Sequence, residues 1–301
     1  MSKTVSKICY LIFGFVSYFD IRYSDLQLCC LRKEKSVDNY REFAVSIAKE
    51  AGTILKERFH GKHEIYYKGE INIVTEVDML AEEMIISRIN KEFPHHDILA
   101  EESAGIDKGS KYRWIIDPID GTTNYAHGFP FFCVSIALEK DGEIITGVIY
   151  NPVLQEMFVA EKGGGAFLNN KEIKVTKTEE LVKSFLATGF PYDISQDPDN
   201  NLNYFNGMAL KAQAIRRAGS AAIDLAYVAA GRFDGFWELK LHPWDTAAGW
   251  LLVKEAGGEV TQISGDGYHL ESPNILASNG RIHGKMIDVL EKIDPLDKRF
   301  F

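Results

Sequence analysis

Cysteine is scarce in this 301-residue chain, and three of its four copies, Cys9, Cys29 and Cys30, lie in the first thirty residues. Only Cys133 belongs to the rest. That excludes a disulfide framework and a zinc-ligand spacing, and it favours a reducing compartment, so the chain is expected in the cytoplasm. A basic excess is missing too. Lys plus Arg number 34 against 43 Asp plus Glu, a formal net charge of -9, which argues against a general nucleic-acid binder. The apolar run at residues 8–16 is too short to span a bilayer, so no stable membrane association is expected. Internal repeats and low-complexity segments are absent. Gly163-Gly164-Gly165 lacks a subsequent Lys-Ser/Thr and reads as turns, not as a nucleotide loop.

Residues 1–36 do not resemble the remainder of the chain. Lys3 and Lys7 precede the apolar run as in a signal peptide, but no small-x-small cleavage site stands clearly after it. Leu26-Gln27-Leu28-Cys29 is a poor lipidation box, with large residues before the cysteine. A membrane-associating leader, a disordered extension and a stretch added by a wrongly chosen start codon compete as readings. The last is the expectation, which makes residues 1–36 dispensable and outside the fold.

The other residues are enough for two packed subdomains, expected at residues 37–182 and 183–301. Phe43, Ile47, Ala51, Ile54 and Leu55 recur at helical spacing after Asp38. A second helix is expected from Val77 to the stop at Pro94, with Thr75 and Asp78 at capping-box spacing. Residues 97–100 read as a strand ending in Glu101-Glu102. Residues 131–139 and 144–150 read as a hairpin around Asp141-Gly142. The second half alternates strand and helix. Its signals are an alanine-rich helix after Gly219-Ser220-Ala221, a strand ending at Glu238, and a helix opened by Asp245 and stopped by Gly257-Gly258.

The chain turns on Trp114-Ile115-Ile116-Asp117-Pro118-Ile119-Asp120-Gly121-Thr122-Thr123-Asn124-Tyr125. An apolar strand ends in two carboxylates. Pro118 has no amide donor, so the chain is expected to leave the sheet there. Gly121 permits a tight turn, and Thr122 can open a helix whose free N–H groups suit a phosphate. The plainer reading of the same residues is a strand-to-helix turn capped by one aspartate. His127, a lone histidine beside a glycine, reads as structural.

Each carboxylate alone is a weak signal. Glu101, Asp117, Asp120 and Asp245, all at element ends, offer hard oxygen ligands without His or Cys partners, which points to Mg²⁺ or Mn²⁺. Two such cations can clamp the attacking and leaving oxygens of a phosphoryl transfer.

With these motifs the chain resembles the inositol monophosphatases, within the lithium-sensitive, magnesium-dependent phosphatases. Residues 114–125 match the family's first signature. Trp244-Asp245-Thr246-Ala247-Ala248-Gly249 through Glu255-Ala256-Gly257-Gly258 match the second. Residues 72–78 and 100–103 match two flanking motifs. The resemblance runs from about residue 37 to about residue 293 and does not cover residues 1–36. It implies a mixed α+β or α/β fold, the layered αβαβα sandwich of the inositol monophosphatase and fructose-1,6-bisphosphatase type, commonly a homodimer.

The resemblance also implies roles. Glu101 and Asp117, with the carbonyl of Ile119, bind one cation; Asp117, Asp120 and Asp245 bind a second; Glu101 helps hold a weaker third. Gly121 and Thr122 present amides to the phosphate, and Asp78 and Thr122 orient the attacking water. Gly219, Ser220, Ala221 and Glu238 contact the alcohol portion of the substrate, and Glu238 stands seven residues before Asp245 as in inositol-handling members. Lys68 falls near a basic position of the family, one residue off in loop length. The implied activity is Mg²⁺-dependent hydrolysis of myo-inositol 1-phosphate by water, with no covalent phosphoenzyme and with inhibition by Li⁺. Alternatives are fructose-1,6-bisphosphate or both sugar and inositol phosphates, with Arg216-Arg217 taking a second phosphate or lying in solvent. Histidinol phosphate, nucleotide 3′-phosphates and a non-catalytic regulatory protein on the same fold are further alternatives.

Overall fold

Helical spacing near residue 40 does what the pattern predicts: Ala44, Ile47, Ala51 and Leu55 are all buried along α1 (Val37–Arg58). The structure, a computed structural model, describes residues 37–61, 64–68 and 72–293. The expectations for residues 1–36 lie outside the described residues. After α1, the short strands β1 (Ile65–Tyr67) and β2 (Ile73–Thr75) pair antiparallel. Helix α2 (Glu76–Glu92) then starts at the expected capping box, where Asp78 Oδ2 accepts from the amide of Thr75 at 2.9 Å and Thr75 Oγ1 accepts from the amide of Val77 at 3.2 Å. Such a box satisfies two amides that the helix itself leaves unpaired.

A seven-stranded sheet comes next, in the order β3 (Asp97–Ala100), β4 (Tyr112–Asp120), β5 (Cys133–Lys140), β6 (Glu143–Asn151), β7 (Glu156–Glu161), β8 (Gly165–Leu168) and β9 (Lys171–Glu172). The short helix α3 (Thr122–Ala126) lies between β4 and β5 in the chain. Only β3 and β4 run parallel in this sheet; the rest is a meander. Asp141 and Gly142 both take positive φ, 50° and 84°, as a two-residue hairpin demands. One expectation needs correcting. The chain does not leave the sheet at Pro118. Strand β4 pairs Asp117 with Ser135 and then Asp120 with Cys133, so Pro118 and Ile119 face one residue of β5. Proline's missing donor falls in that bulge, where the ladder is interrupted anyway. The bulge keeps both aspartates at the sheet's end and re-aims them.

Between the seven-stranded sheet and the second sheet the chain passes through the short 3₁₀ turn Leu181–Lys183. After it come β10 (Phe185–Thr188), α4 (Leu202–Ala209), β11 (Ala214–Arg216), α5 (Ala221–Ala229), β12 (Gly235–Leu239), α6 (Pro243–Glu255), β13 (Glu259–Thr261), β14 (Asn274–Ser278) and α7 (His283–Leu290). The strands form a five-stranded sheet in the order β11-β10-β12-β14-β13, parallel on one side and antiparallel on the other. Helix α6 begins at Pro243, two residues before Asp245, because proline suits the first helical position. Helix α7 carries no motif and was not anticipated.

Three apolar layers hold these elements. Ile47, Leu55, Ile85 and Ile89 of α1 and α2 pack on Trp114, Ile116, Ile136 and Leu138 of the first sheet. Leu225, Ala226, Leu252 and Val253 of α5 and α6 fill the space between the sheets, against Ile115, Ala137, Phe158, Phe236 and Ala277. Met208 of α4 and Met286 and Leu290 of α7 cover Leu186, Trp237 and Leu276 on the far side. Helices, sheet, helices, sheet, helices is the expected αβαβα order.

Candidate active site: an acidic cleft between the sheets

The ends of β4, β12, α5 and α6 converge on one cleft of about 610 Å³. Asp117, Ile119, Asp120, Gly121, Thr122, Gly219, Ser220, Ala221, Glu238, Asp245 and Glu101 all line it. The structure thus gathers every predicted site residue but one. Asp78 has no exposed surface and stands behind the cleft wall. Thr122 Oγ1 lies 3.0 Å from Asp78 Oδ1 and 3.0 Å from the carbonyl oxygen of Ile119, and its single proton serves one of these acceptors at a time. Asp78 therefore reaches the cleft only through Thr122.

Asp117, Asp120 and Asp245 can place one oxygen each within 4.8 Å of one another. Each is held by its own element. Asp117 Oδ1 accepts from the amide of Ile119 at 2.9 Å across the bulge. Asp120 Oδ2 sits at the N-terminus of α5, accepting from Ser220 Oγ at 2.6 Å and from the amide of Ala222 at 2.7 Å. Asp245 Oδ2 accepts from the amide of His242 at 2.7 Å. Gly121 turns the chain between β4 and α3 at φ 99°. A Cβ there would stand 3.0 Å from the carbonyl oxygen of Phe131, so both the turn and the packing demand glycine. Asn124 ties the two halves of the cleft, its Nδ2 donating to the carbonyls of Phe131 at 2.7 Å and Ala218 at 2.9 Å.

Without a countercharge these acids are hard to ionise. Burial, then repulsion from Glu101, Asp120 and Asp245, pushes Asp117 well above the usual carboxylate range. Burial raises Asp120 to about 6, restrained by the donors Ser220 and Ala222. Removal from water and the neighbouring Asp120 raise Asp245 well above its usual value. Burial raises Asp78 as well. Cys133 lies 3.8 Å from Asp120 Oδ2, but burial keeps its thiol protonated, so it adds no soft ligand. The donors are thus oxygens only, in a group short of positive charge, which fits a hard divalent cation.

Glu101 is not part of the cluster of three aspartates but lies near enough to repel Asp117. It lies at the end of β3, 22% exposed at its side chain, with Lys68 Nζ 3.1 Å away; Lys68 also pairs with Glu102 at 2.6 Å. The two arginines weighed as a second phosphate site part company. Arg216 stacks over the Phe185 ring at 4.7 Å, while Arg217 lines the cleft. Glu238, on β12, is buried and raised to about 8 by desolvation and then by Asp120. Gly189 backs it so closely that a Cβ there would lie 2.0 Å from Glu238 Oε1. Sequence reasoning passed over Gly189, Lys240 and Asp224. Lys240 Nζ clamps Asp193 at 2.8 Å and Asp197 at 2.6 Å in the loop on one side of the cleft. An aspartate inside an alanine-rich helix was the one available signal for Asp224.

Layering, bulge and acidic cleft together define an α/β protein with a carboxylate centre suited to divalent cations. The profile of the "Inositol monophosphatase family" matches residues 36–294, and the chain belongs to that family. It is 43% identical over 261 residues to the inositol monophosphatase of Dictyostelium discoideum, covering 85% of this chain and 96% of that protein. It is 44% identical over 223 residues to the Nus factor SuhB of Pseudomonas aeruginosa, covering 72% and 82%. The solved inositol monophosphatase of Anabaena (Nostoc) sp. PCC 7120 superposes with a TM-score of 0.80 at 42% identity, over 87% of this chain and 99% of that one.

Proposed function

We propose that the chain is a Mg²⁺-dependent phosphate monoester hydrolase that converts myo-inositol 1-phosphate to myo-inositol and phosphate by direct attack of water. The observation that carries this reading is the meeting of Asp117 and Asp120 of β4 with Asp245 of α6, far apart in the chain, beside the turn Gly121-Thr122. Bound Mg²⁺, or Mn²⁺ in its place, neutralises phosphate oxygens and acidifies water at neutral pH. Asp117, Asp120 and Asp245, with the carbonyl of Ile119, would hold the principal ions, two or three per site. Glu101 would join them by releasing Lys68.

The chain's own residues then position the reactants. Gly121 and Thr122 would offer amides to the phosphate. Thr122 Oγ1, whose proton is taken by Asp78 or by the Ile119 carbonyl, would orient the attacking water along a lone pair. Glu238, with Gly219, Ser220 and Ala221, would receive the polyol. Most of the rate enhancement is positioning and charge stabilisation, with no covalent intermediate on the chain. A homodimer and a cytoplasmic location are proposed from the family resemblance. A relative named as a Nus factor shares the fold, but the assembled acidic centre favours hydrolysis over a purely regulatory role. Phosphate release from myo-inositol 1-phosphate, fructose 1,6-bisphosphate and 4-nitrophenyl phosphate, each with and without Mg²⁺, tests the reading. Mg²⁺-dependent release that is fastest from the inositol ester supports it, and no release from any ester overturns it.

A further inference from the structure

Asp224 is a buried acid of the cleft that the proposed chemistry leaves without work. It sits one turn into α5, among Ala221, Ala222, Leu225 and Ala226, and is 1% exposed. Its Oδ1 is sealed from solvent and has no hydrogen-bond partner among the described residues. Yet the residue lines the cleft together with Glu238 and Arg217. A buried carboxyl with one unpaired oxygen in a helix of small apolar residues is costly, and an alanine in its place would pack there without that cost. Buried polar atoms are rarely orphaned, so a partner that arrives with a ligand is the natural completion. Burial, then the nearby Glu238 and Asp120, pushes Asp224 well above the usual carboxylate range, opposed only by Arg217. Protonated, a carboxyl can donate one hydrogen bond and accept others, which matches a hydroxyl that does the same.

We infer that Asp224 and Glu238 form a two-carboxyl grip for neighbouring hydroxyls on the substrate's alcohol, making Asp224 a second specificity residue of the cleft. The inference rests on the hydrolase reading above and goes beyond it. The favoured substrates are phosphates of polyols with adjacent free hydroxyls. Esters whose alcohol carries no hydroxyl would lose both contacts and gain nothing from either acid. Asp224 Oδ1 makes no hydrogen bond to Asp117, Asp120 or Asp245, so its removal takes no hydrogen bond from the cation ligands.

The test uses the full chain with Mg²⁺ and the variants Asp224→Ala and Asp224→Asn. Steady-state kinetics are measured on myo-inositol 1-phosphate and on 4-nitrophenyl phosphate, with free myo-inositol as a product inhibitor. Asp224→Ala should lower kcat/KM for the inositol ester about tenfold or more, chiefly through KM, and weaken inhibition by myo-inositol in parallel. The aryl ester should change by less than about twofold. Thermal melting should show Asp224→Ala at least as stable as the native protein, since an orphaned polar group is removed. Equal losses on both esters, or no loss on the inositol ester, would overturn the inference. Should Asp224→Ala fail to fold, Asp224→Asn decides on the same two esters. Release from neither ester by the native protein strikes the hydrolase reading first, and this inference falls with it.

Discussion

Gly189→Ala is a one-carbon change with a calculable consequence. Gly189 stands just after β10 and lies against the carboxyl of Glu238. An added Cβ would meet Glu238 Oε1 at 2.0 Å and Cδ and Oε2 at 2.3 Å each. An ordinary carbon–oxygen contact lies near ~3.3 Å, so the carboxyl must retreat by more than ~1 Å. Glu238 is buried on β12 with its carboxyl at the cleft wall, so the clash is met partly by a shift of the carboxyl toward the cleft and partly by the backbone of β10 and β12. Overpacking of this kind costs about 1–3 kcal/mol. For a body of this size that corresponds to a melting temperature lower by about 2–12 °C. Displacing the carboxyl should also remove a hydroxyl contact, for roughly a tenfold loss of kcat/KM on the inositol ester. Shortening the acid should undo the clash, so Gly189→Ala with Glu238→Asp should melt above Gly189→Ala alone. Differential scanning calorimetry and phosphate-release kinetics on the three proteins decide. A Gly189→Ala protein that melts and turns over like the native one would refute the packing argument.

Charge sets the other expected outcomes. Glu238→Gln keeps the shape of a neutral carboxyl, and Glu238 is raised to about 8. The loss of kcat/KM on the inositol ester should therefore be about tenfold at pH 9 and smaller at pH 7, with less effect on 4-nitrophenyl phosphate; a loss that shrinks as pH rises would count against a titrating Glu238. In cation-free protein, Asp117, Asp120 and Asp245 have folded values above the unfolded ~3.9, so the stability tied to their neutral forms is full below pH ~4 and fades as pH rises through Asp120's value of about 6. Mg²⁺ should thus raise the melting temperature more at pH 8 than at pH 5, as read by calorimetry with and without EDTA; an equal or smaller rise at pH 8 would contradict it.

Local chemistry makes much of this molecule readable from its sequence. Thr75 and Asp78 announce their helix because a capping box is written in four consecutive residues. Asp141-Gly142 announces its hairpin because few residues accept positive φ in succession. The acidic centre is legible for a similar reason: Asp117 and Asp120 stand three residues apart at one strand end, and Asp245 sits in its own short motif. The features that escape depend on partners distant in the chain. Pro118 reads as a strand end, yet β5 continues the pairing by taking up the extra residue as a bulge. Asp78 is legible as a helix cap, but its 3.0 Å contact with Thr122, 44 residues on, is written in no local pattern. Glu101 pairs with Lys68, 33 residues earlier, a contact that no local pattern records. Gly189 and Asp224 acquire meaning only when β12 brings Glu238 beside them, and no pattern within either segment records that approach.

The measurement that bears most directly on the account is phosphate release from myo-inositol 1-phosphate by the native chain and by Asp117→Asn, across a Mg²⁺ titration, with circular dichroism on both. Asp117 is the most deeply buried of the three clustered aspartates, and among the described residues no ion pair neutralises its ionised form. The native protein should show saturable Mg²⁺-dependent turnover. Asp117→Asn should keep the native spectrum and lose about a thousandfold in rate, corresponding to ~4 kcal/mol of transition-state stabilisation. A folded Asp117→Asn protein with near-native turnover, or native turnover indifferent to Mg²⁺, would contradict the central claim that this carboxylate cluster is a cation-dependent hydrolytic site.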